Sequence, residues 1–407
     1  MKIAHIVRRY TKAEWGGTET VVENTVREQL ALGHDVRIFA TSALAQGEPG
    51  AGTSYFGYFY PYFPLSEADK LALDKKGGSP YAPKLFAAVR RWSPDVLHIH
   101  AGGRLAAAGV RLGQKLGVPT VYSLHGGAAA VPQAEMDEMC RPMRRKIPYG
   151  AVLDRLFGLR FDPIARASAV VCISREEESR LKAKYGPERI HYLPNGVAAA
   201  PKDGGLSQRG ARTGERRTVN VLCVSRIDYQ KNQLALVEAV ARLPSRASAS
   251  DVDFSLTLVG PVTAAWYRDK ILARVGELGL GDRFALIPGL PPGSAALEAE
   301  FAKADVFVLP SVHEPFGIVA LEAMSRGIPL VSSRAGGLKD FVTDGVNGLL
   351  FDPNAAEAVS HLASAILRAT CPETAEVLRA NGLRTAADYA WPSIVARLME
   401  IYRSEGG

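Results

Sequence analysis

The stretch Ser311-Val-His-Glu-Pro-Phe-Gly-Ile-Val-Ala-Leu-Glu322 carries the most information about fold and function in this chain. The apolar, β-branched run at 305–309 ends at Pro310 and predicts a buried parallel strand. Residues 318–324 have helical character. Glu314 therefore follows the end of a strand, and Glu322 lies about one turn into the next helix. Because ligands bind outside the carboxyl ends of strands in an open α/β sheet, this stretch predicts a ligand site.

The turn between the two carboxylates supports that interpretation. The backbone N–H groups of Phe316 and Gly317 are expected at the helix start, where they suit a phosphate or a sugar hydroxyl. An acidic first turn that complements the helix dipole would explain Glu314. It would leave the Glu-Pro-Phe-Gly turn unexplained, so we interpret the stretch as functional.

Composition indicates an ordinary globular protein with 47% hydrophobic and 22% charged residues. A length of 407 residues favours two or three domains. No apolar run is long enough to predict a transmembrane helix, and residues 1–7 predict a first strand rather than a signal peptide. The four cysteines are scattered without metal-ligand spacing, which favours a reducing, cytoplasmic environment.

Charge is unevenly divided between the two halves. Residues 1–200 carry 27 Lys and Arg against 19 Asp and Glu, whereas residues 201–407 carry 22 against 23. The resulting +8 on the first half suggests an anionic membrane surface, a phosphorylated acceptor or nucleic acid as a partner. The densest basic cluster, at 141–146, has no helix-turn-helix or RNP-like pattern beside it, so nucleic acid is disfavoured. A solvated loop remains the alternative for that cluster.

Strands and helices alternate along both halves, which predicts parallel sheets built from βαβ units. The predicted strands are 2–7, 35–40, 95–99, 119–123, 169–173 and 190–193, and then 219–224, 254–259, 284–288, 306–309, 329–332 and 348–350. Residues 46–66 break the pattern and are interpreted as an inserted loop. We predict an α/β fold of two Rossmann-like, doubly wound domains, 1–197 and 218–387, facing across a deep cleft and joined by a Gly-rich linker at 198–217. Residues 391–402 have a helical apolar stripe that must be buried.

Four more strand-end loops offer groups that can bind a ligand. Gly16 and Gly17 precede a helix and let the backbone approach an anion. His125 follows the strand 119–123 and is itself followed by two glycines. Arg226 and Lys231 follow the strand 219–224 and can hold a diphosphate, the first as a fork and the second as a point charge. Gly336 and Gly337 permit close approach after the strand 329–332. Plain strand–helix turns are the alternative for the glycine pairs.

In combination these motifs resemble the family-4 (GT4) retaining, nucleotide-sugar-dependent glycosyltransferases with the GT-B fold. The matching motifs, in chain order, are Gly16-Gly-Thr-Glu19, Gly33-His-Asp-Val36, Leu193-Pro-Asn-Gly-Val197, the pair Arg226 and Lys231, the pair Glu314 and Glu322, and Gly336-Gly337. The chain departs from the family pattern at Ser225, where glycine is usual, and at Asn232 after the lysine. Neither departure changes the expected diphosphate role.

The resemblance implies a role for each residue. Arg226 and Lys231 would hold the donor diphosphate and stabilise the leaving nucleotide, which makes them catalytic together with His125 and Glu314. Donor-binding groups would be Gly16, Gly17, Glu314, Phe316, Gly317, Ile318 and the ribose-binding Glu322. Trp15 and Asn195 would lie on the acceptor side. The helix at 388–407 would pack back on the first domain.

The same resemblance implies a hexosyltransferase that uses a UDP- or GDP-sugar as substrate and has no cofactor. Fixed cations can replace a metal ion, and Asp251-Val-Asp253 precedes a strand, at the wrong end for the site, so we predict no metal. Same-face displacement is favoured over a covalent intermediate.

The acceptor is predicted to be a saccharide, or a lipid-linked or phosphorylated saccharide, in cell-envelope or polysaccharide synthesis, reached by a peripheral protein on the inner face of the cytoplasmic membrane. The basic cluster at 141–146 and the aromatic stretch at 55–63 motivate that expectation. A small soluble acceptor stays open. So do three other kinds of protein: a nucleotide-sugar epimerase or hydrolase, a glucan synthase or phosphorylase, and a binding module without activity.

Overall fold

The computed structural model describes residues 1–11, 16–45, 50–126, 145–199, 217–244 and 252–406. The chain forms two compact units, one of Met1–Pro194 with Trp391–Gly407 and the other of Asn195–Ala390. The sequence-based division placed the changes of unit at residues 197 and 388. Asn195, which that division assigned to the first domain, belongs to the second unit. The predicted linker falls almost wholly outside the described residues.

The first unit contains a seven-stranded parallel sheet in the order β3-β2-β1-β5-β6-β8-β9. Its strands are β1 (Lys2–Val7), β2 (Asp35–Thr41), β3 (Thr53–Phe56), β5 (Val96–Ile99), β6 (Thr120–Ser123), β8 (Ala169–Cys172) and β9 (Ile190–Tyr192), and β4 (Tyr62–Phe63) pairs antiparallel with β7 (Ile147–Pro148). Its helices are α1 (Gly17–Ala31), α2 (Glu67–Lys76), α3 (Pro83–Trp92), α4 (Gly103–Leu116), α5 (Gly150–Leu156), α6 (Pro163–Arg166) and α7 (Arg175–Tyr185).

The segment 46–66 was predicted as an inserted loop, and the structure corrects this prediction for two parts of it. Residues 53–56 form the edge strand β3, parallel to β2, and residues 62–63 form β4. An aromatic side chain of this segment is also part of the unit's interior. Tyr60 is buried, and its hydroxyl donates a hydrogen bond to Asp74 Oδ1 at 2.8 Å. The Gly- and Pro-rich composition hid these strands, because β3 is held by pairing with β2 and β4 by pairing with β7, and neither pairing is a property of the segment's own composition.

The second unit contains a six-stranded parallel sheet in the order β12-β11-β10-β13-β14-β15. Its strands are β10 (Arg217–Val224), β11 (Val252–Val259), β12 (Phe284–Ile287), β13 (Val306–Leu309), β14 (Leu330–Ser333) and β15 (Leu349–Phe351). The helices are α8 (Gln233–Ala241), α9 (Ala265–Glu277), α10 (Ala295–Lys303), α11 (Ile318–Ser325), α12 (Ala358–Ala369) and α13 (Pro372–Asp388). All four residues of β13 are buried, as expected for a central parallel strand with both faces covered.

The strand orders place two loop clusters at switch points. In the first unit the chain runs outward from β1 to β2 and β3, and then resumes at β5 on the other side of β1. In the second unit it runs from β10 to β11 and β12, and resumes at β13 on the other side of β10. Loops on either side of such a reversal leave a crevice at the carboxyl edge of the sheet. The loops after β1 and β5, and those after β10 and β13, therefore lie where ligands bind.

The last helix, α14 (Trp391–Glu405), belongs to the first unit. Its apolar stripe, predicted from sequence to be buried, consists of Ile394, Val395, Leu398, Met399 and Tyr402, and all five are buried. Gln29 of α1 lies against it, since its amide nitrogen is 3.3 Å from the Tyr402 hydroxyl and 3.9 Å from Met399 Sδ.

Candidate active site

Three strand-end loops of the second unit are tied together by hydrogen bonds. The Val312 N–H donates to the Gln230 carbonyl at 2.9 Å, which joins the loops after β13 and β10. The Gly337 N–H donates to the Glu314 carbonyl at 3.0 Å, which joins the loops after β14 and β13. Since β10, β13 and β14 are neighbours in the sheet, the segments that the sequence singled out form one cluster.

Lys231 and Glu314 form an ion pair at the centre of this cluster. Lys231 Nζ lies 2.7 Å from Glu314 Oε2, and the two side chains are 12% and 9% exposed. The Ser311 hydroxyl donates to the same carboxylate oxygen at 3.0 Å. The site thus holds a cation and an anion in a largely desolvated place, where charge interactions are stronger than in water.

Arg226 differs from Lys231 in its surroundings. Its side chain is exposed, and among the described residues no ion pair involves it. The spacing in the sequence predicted that Arg226 and Lys231 act as one pair of cations, whereas the structure joins Lys231 to Glu314 and leaves Arg226 at the surface. The Arg226 guanidinium is therefore accessible to an anionic ligand.

The glycine pair after β14 lets two loops approach each other. Gly336 has φ +50°, and a Cβ there would lie 1.9 Å from the Glu314 carbonyl oxygen. A Cβ at Gly337 would lie 2.4 Å from the Pro315 carbonyl oxygen. The prediction from sequence was that these glycines permit close approach by a ligand. The structure shows instead that they accommodate the backbone of the Glu314 turn.

The helix α11 begins beside this turn. Gly317 is its N-cap with φ +94°, and first-turn N–H groups such as that of Ile318 have no acceptor within a helix. The Phe316 side chain is buried against Phe341 and Tyr389, so Phe316 can offer a ligand its backbone only. Glu322 is half-buried, and burial raises the pKa of its carboxyl, while Arg326 opposes the rise.

The corresponding edge of the first unit is lined with imidazoles. His5 of β1 and His98 of β5 are register partners and therefore point to the same face, and His100 points there too. His125 follows β6, and its Nε2 lies 2.9 Å from His100 Nδ1. Burial lowers the pKa of His5 and of His125 to about 4, so both rings are neutral at physiological pH.

Within the described part of the chain, His5, His98 and His100 have donor atoms close enough to hold a metal ion. Their ring nitrogens, however, already have hydrogen-bonding partners: His5 bonds to His100 and Gln29, and His98 bonds to Ser123 and Tyr402. Asp253, of the Asp-x-Asp sequence, lies near the amino end of β11 and pairs with Arg283 at 3.4 Å. Asp251 is not among the described residues.

The glycine loop before α1 is held by a buried carboxylate. Gly16 is the N-cap and Gly17 is the first helical residue. Glu19 accepts from the Gly16 N–H at 3.1 Å and from Arg9 Nε at 3.1 Å. Glu19 therefore fixes the helix start, which is a structural role. Trp15 and Gly127 lie outside the described residues, and Asn195 is buried in the second unit.

Several polar residues that support these groups were not predicted from sequence. Gln233 is buried and donates to the Ser225 hydroxyl at 2.9 Å and to the Arg226 carbonyl at 2.7 Å. In the first unit the missed residues are His5, Gln29, His98 and His100, and for Tyr402 the sequence predicted burial but not its hydrogen bonds. The alternating His98-Ile-His100 at a strand end was a usable signal, because polar residues within an apolar strand must find partners.

Acidification should destabilise the folded protein through the buried imidazoles. The unfolded chain binds protons at histidine below about pH 6.5, whereas the folded His5 has a pKa of about 4. Unfolding therefore takes up protons in this window, and stability is lost as the pH falls. His5 alone should account for about 2 kcal/mol between about pH 7 and about pH 5.

Urea unfolding at both pH values measures this effect. His5→Gln should reduce the pH dependence by the contribution of that one imidazole, while His361→Gln, at an exposed position of α12, should leave it as in the wild type. Equal midpoints at both pH values for the wild-type protein would contradict the prediction.

Comparisons with known proteins identify the family of this chain. Residues 212–385 match the family described as glycosyl transferases group 1, and residues 15–200 match glycosyltransferase family 4. The chain is 30% identical to D-inositol 3-phosphate glycosyltransferase 1 of Catenulispora acidiphila, over 96% of this chain and 92% of that protein.

Solved structures resemble the fold as a whole. Sucrose-phosphate synthase from Thermosynechococcus elongatus has a TM-score of 0.70 at 23% identity, covering 99% of this chain and 98% of that one. Anabaena HepE in complex with UDP and glucose has a TM-score of 0.67 at 20% identity, covering 99% and 100%. The predicted fold class, with two parallel-sheet α/β domains, is confirmed. The chain belongs to the family-4 glycosyltransferases and has the GT-B fold.

Proposed function

We propose that this glycosyltransferase is a retaining hexosyltransferase that takes its sugar from a UDP- or GDP-sugar and transfers it to a saccharide or lipid-linked acceptor. The observation that carries the proposal is the cluster of Lys231, Glu314 and the start of α11, with the exposed Arg226 in the same loop as Lys231. A cation, an anion and free helix N–H groups together match a diphosphate attached to a sugar.

Each group has a distinct task in this proposal. Departure of the nucleotide leaves negative charge on the diphosphate, and preorganised cations stabilise that charge most effectively. Lys231 and Arg226 would provide these cations. Lys231 would then interact with the phosphate as well as with Glu314. Glu314 and the backbone N–H groups of Phe316 and Gly317 would bind sugar hydroxyls, Glu322 the ribose hydroxyls, and His125 the transferred sugar.

The names of similar proteins support a nucleotide sugar as donor. Anabaena HepE was solved with UDP and glucose, and the Catenulispora relative is named for a phosphorylated acceptor, D-inositol 3-phosphate. A phosphorylated or saccharide acceptor is therefore included in our proposal for this enzyme.

Slow hydrolysis without acceptor identifies the donor. UDP-, GDP- and ADP-sugars are incubated separately with the enzyme, and released nucleotide is quantified. We expect hydrolysis of one UDP- or GDP-sugar, and once an acceptor is found, NMR of the product should show that the anomeric configuration of the donor is retained. Inertness toward the whole panel, or an inverted product, would contradict the proposal.

Catalysis is expected to be independent of metal ions, because Lys231 and Arg226 would neutralise the diphosphate. Saturating EDTA should leave the transfer rate within about twofold of the untreated rate. The rate is measured on one enzyme preparation before and after chelation, and again after Mn²⁺ is added. A loss of activity that Mn²⁺ restores would show that the cations do not replace a metal ion.

We further propose that a lipid-linked acceptor is reached at the inner face of the cytoplasmic membrane. In the first unit Phe63, Ile147, Val152 and Leu156 are each at least 67% exposed. Phe63 and Ile147 are paired across β4 and β7, and Val152 and Leu156 share one face of α5. Contiguous exposed apolar surface marks interaction sites, whereas single exposed apolar residues do not, and these side chains occur as two neighbouring pairs.

Exposed arginines accompany these apolar residues. Arg145, Arg155 and Arg160 are exposed in the same part of the chain, which suits an anionic leaflet. Three expected contributors do not fit: Lys146 forms an ion pair with Asp69 at 2.7 Å, and the hydroxyls of Tyr58 and Tyr60 donate to Asp74. Residues 141–144 are outside the described part. No helix among the described residues is long and apolar enough to span a bilayer.

Liposome flotation tests the membrane proposal. The wild-type protein should float with phosphatidylglycerol vesicles at low salt and be released at high salt, because screening weakens surface electrostatics. Val152→Ser with Leu156→Ser should abolish flotation, whereas Val377→Ser, at an exposed site on α13 of the second unit, should not. Absence of wild-type flotation would favour a soluble acceptor.

A further inference from the structure

A continuous series of buried polar side chains connects α14 to His125 within the first unit. We call Tyr402, Gln29, His5, His100 and His125 the imidazole chain. The Gln29 amide nitrogen lies 3.3 Å from the Tyr402 hydroxyl, and its oxygen lies 2.8 Å from His5 Nε2. His5 Nδ1 is 2.8 Å from His100 Nε2, and His100 Nδ1 is 2.9 Å from His125 Nε2.

The orientation of the Gln29 amide sets the direction of every hydrogen bond in the imidazole chain. An amide oxygen can only accept, so His5 must carry its proton on Nε2. The neutral His5 then accepts at Nδ1 from the His100 Nε2–H, and His100 accepts at Nδ1 from the His125 Nε2–H. Each ring has the same tautomer, and His125 is left with a lone pair on Nδ1.

Tyr402 fixes that amide orientation from the other side. Its hydroxyl accepts from the Gln29 amide NH₂ at 3.3 Å and lies 2.5 Å from His98 Nδ1, which would accept the hydroxyl proton when His98 carries its own proton on Nε2. His98 in turn bonds through Nε2 to the Ser123 hydroxyl at 2.7 Å. Tyr402 is fully buried and therefore has no water as an alternative partner. With its hydroxyl in place, the amide oxygen faces His5.

The end of the imidazole chain is a buried acceptor without a partner. His125 Nδ1 is inaccessible to solvent and has no hydrogen bond among the described residues. A buried acceptor without a donor is unfavourable, which favours a ligand that supplies a donor. Burial also holds the pKa of His125 low, at about 4, so the lone pair is not lost to protonation at neutral pH.

Resting on the proposed function, we propose that Tyr402 and Gln29 are positioning residues for glycosyl transfer. They hold His125 in the Nε2–H tautomer, so that its Nδ1 accepts a hydrogen bond from a hydroxyl group of the bound sugar. The last helix thereby takes part in sugar binding through the imidazole chain.

¹⁵N NMR of the full-length protein with labelled histidine tests this directly, because imidazole nitrogen shifts distinguish the two tautomers. His125→Gln identifies the His125 resonances. The wild type should show Nε2–H at His125. Tyr402→Phe removes the hydroxyl at nearly constant volume and lets the amide turn, so the His125 resonances should move and kcat/KM should fall about tenfold.

Gln29→Met is the second variant and should have the same two effects. Tyr60→Phe is the matched control, since Tyr60 is also buried and its hydroxyl bonds to Asp74, outside the imidazole chain. It should leave the His125 resonances and kcat/KM unchanged.

A wild-type His125 protonated at Nδ1, or resonances that both Tyr402→Phe and Gln29→Met leave in place, would overturn the proposal. A wild-type enzyme that uses no nucleotide sugar would overturn the proposed function instead, and the NMR result would still decide the tautomer.

Discussion

Lys231→Ala is expected to lower turnover by about 100-fold or more, because it removes a preorganised charge that would stabilise the leaving diphosphate. The variant should also be less stable than the wild type. Lys231 is the ion-pair partner of the nearly buried Glu314, and breaking a buried pair on one side costs about 3 kcal/mol or more. From the sequence alone we would predict a change in turnover with almost no change in melting temperature, because the sequence does not reveal that Lys231 pairs with Glu314.

A second substitution separates the two effects. Lys231→Ala combined with Glu314→Gln leaves no unpaired carboxylate, so most of the lost stability should return while turnover stays low. Lys303→Ala provides the control, since Lys303 pairs with Glu300 at 2.6 Å on the surface and should contribute less than about 1 kcal/mol. Steady-state kinetics and urea unfolding of the four proteins measure the outcome. Wild-type turnover in Lys231→Ala would refute the diphosphate role.

Gly336→Ala is expected to abolish most activity and to destabilise the second unit by more than about 4 kcal/mol. The new Cβ would lie 1.9 Å from the Glu314 carbonyl oxygen, and the residue has φ +50°. The Glu314 carbonyl cannot move away from the new Cβ by itself, because it accepts a hydrogen bond from the Gly337 N–H. The Glu314 turn would have to shift, and its ion pair with Lys231 would shift with it.

Gly345→Ala separates backbone strain from steric overlap. Gly345 has φ +74°, but a Cβ there meets no atom within 4 Å, so the substitution should cost only about 1–2 kcal/mol. Thermal or urea unfolding of both variants, with donor hydrolysis as the activity assay, tests the difference. If Gly336→Ala were no less stable than Gly345→Ala, the close approach of the two loops would be wrong.

The sequence alone was sufficient to predict the two parallel sheets and the loops that carry the site. Short apolar runs identify buried parallel strands locally, and the position of a loop after such a run places it at the carboxyl edge. Lys231, Glu314 and His125 could therefore be selected by their positions along the chain. The motifs at Gly16 and Gly336 were recognised in the same way, by type and order.

Only the tertiary structure decided which of these groups touch. Lys231 pairs with Glu314 because β10 and β13 are neighbours in the sheet, and this strand order is not a local property of either loop. The edge strand β3 was missed because its pairing with β2 is likewise nonlocal. The imidazole chain combines side chains from β1, α1, α14 and the segments after β5 and β6. Its hydrogen bonds depend on side-chain orientation in a shared interior, which sequence spacing does not encode.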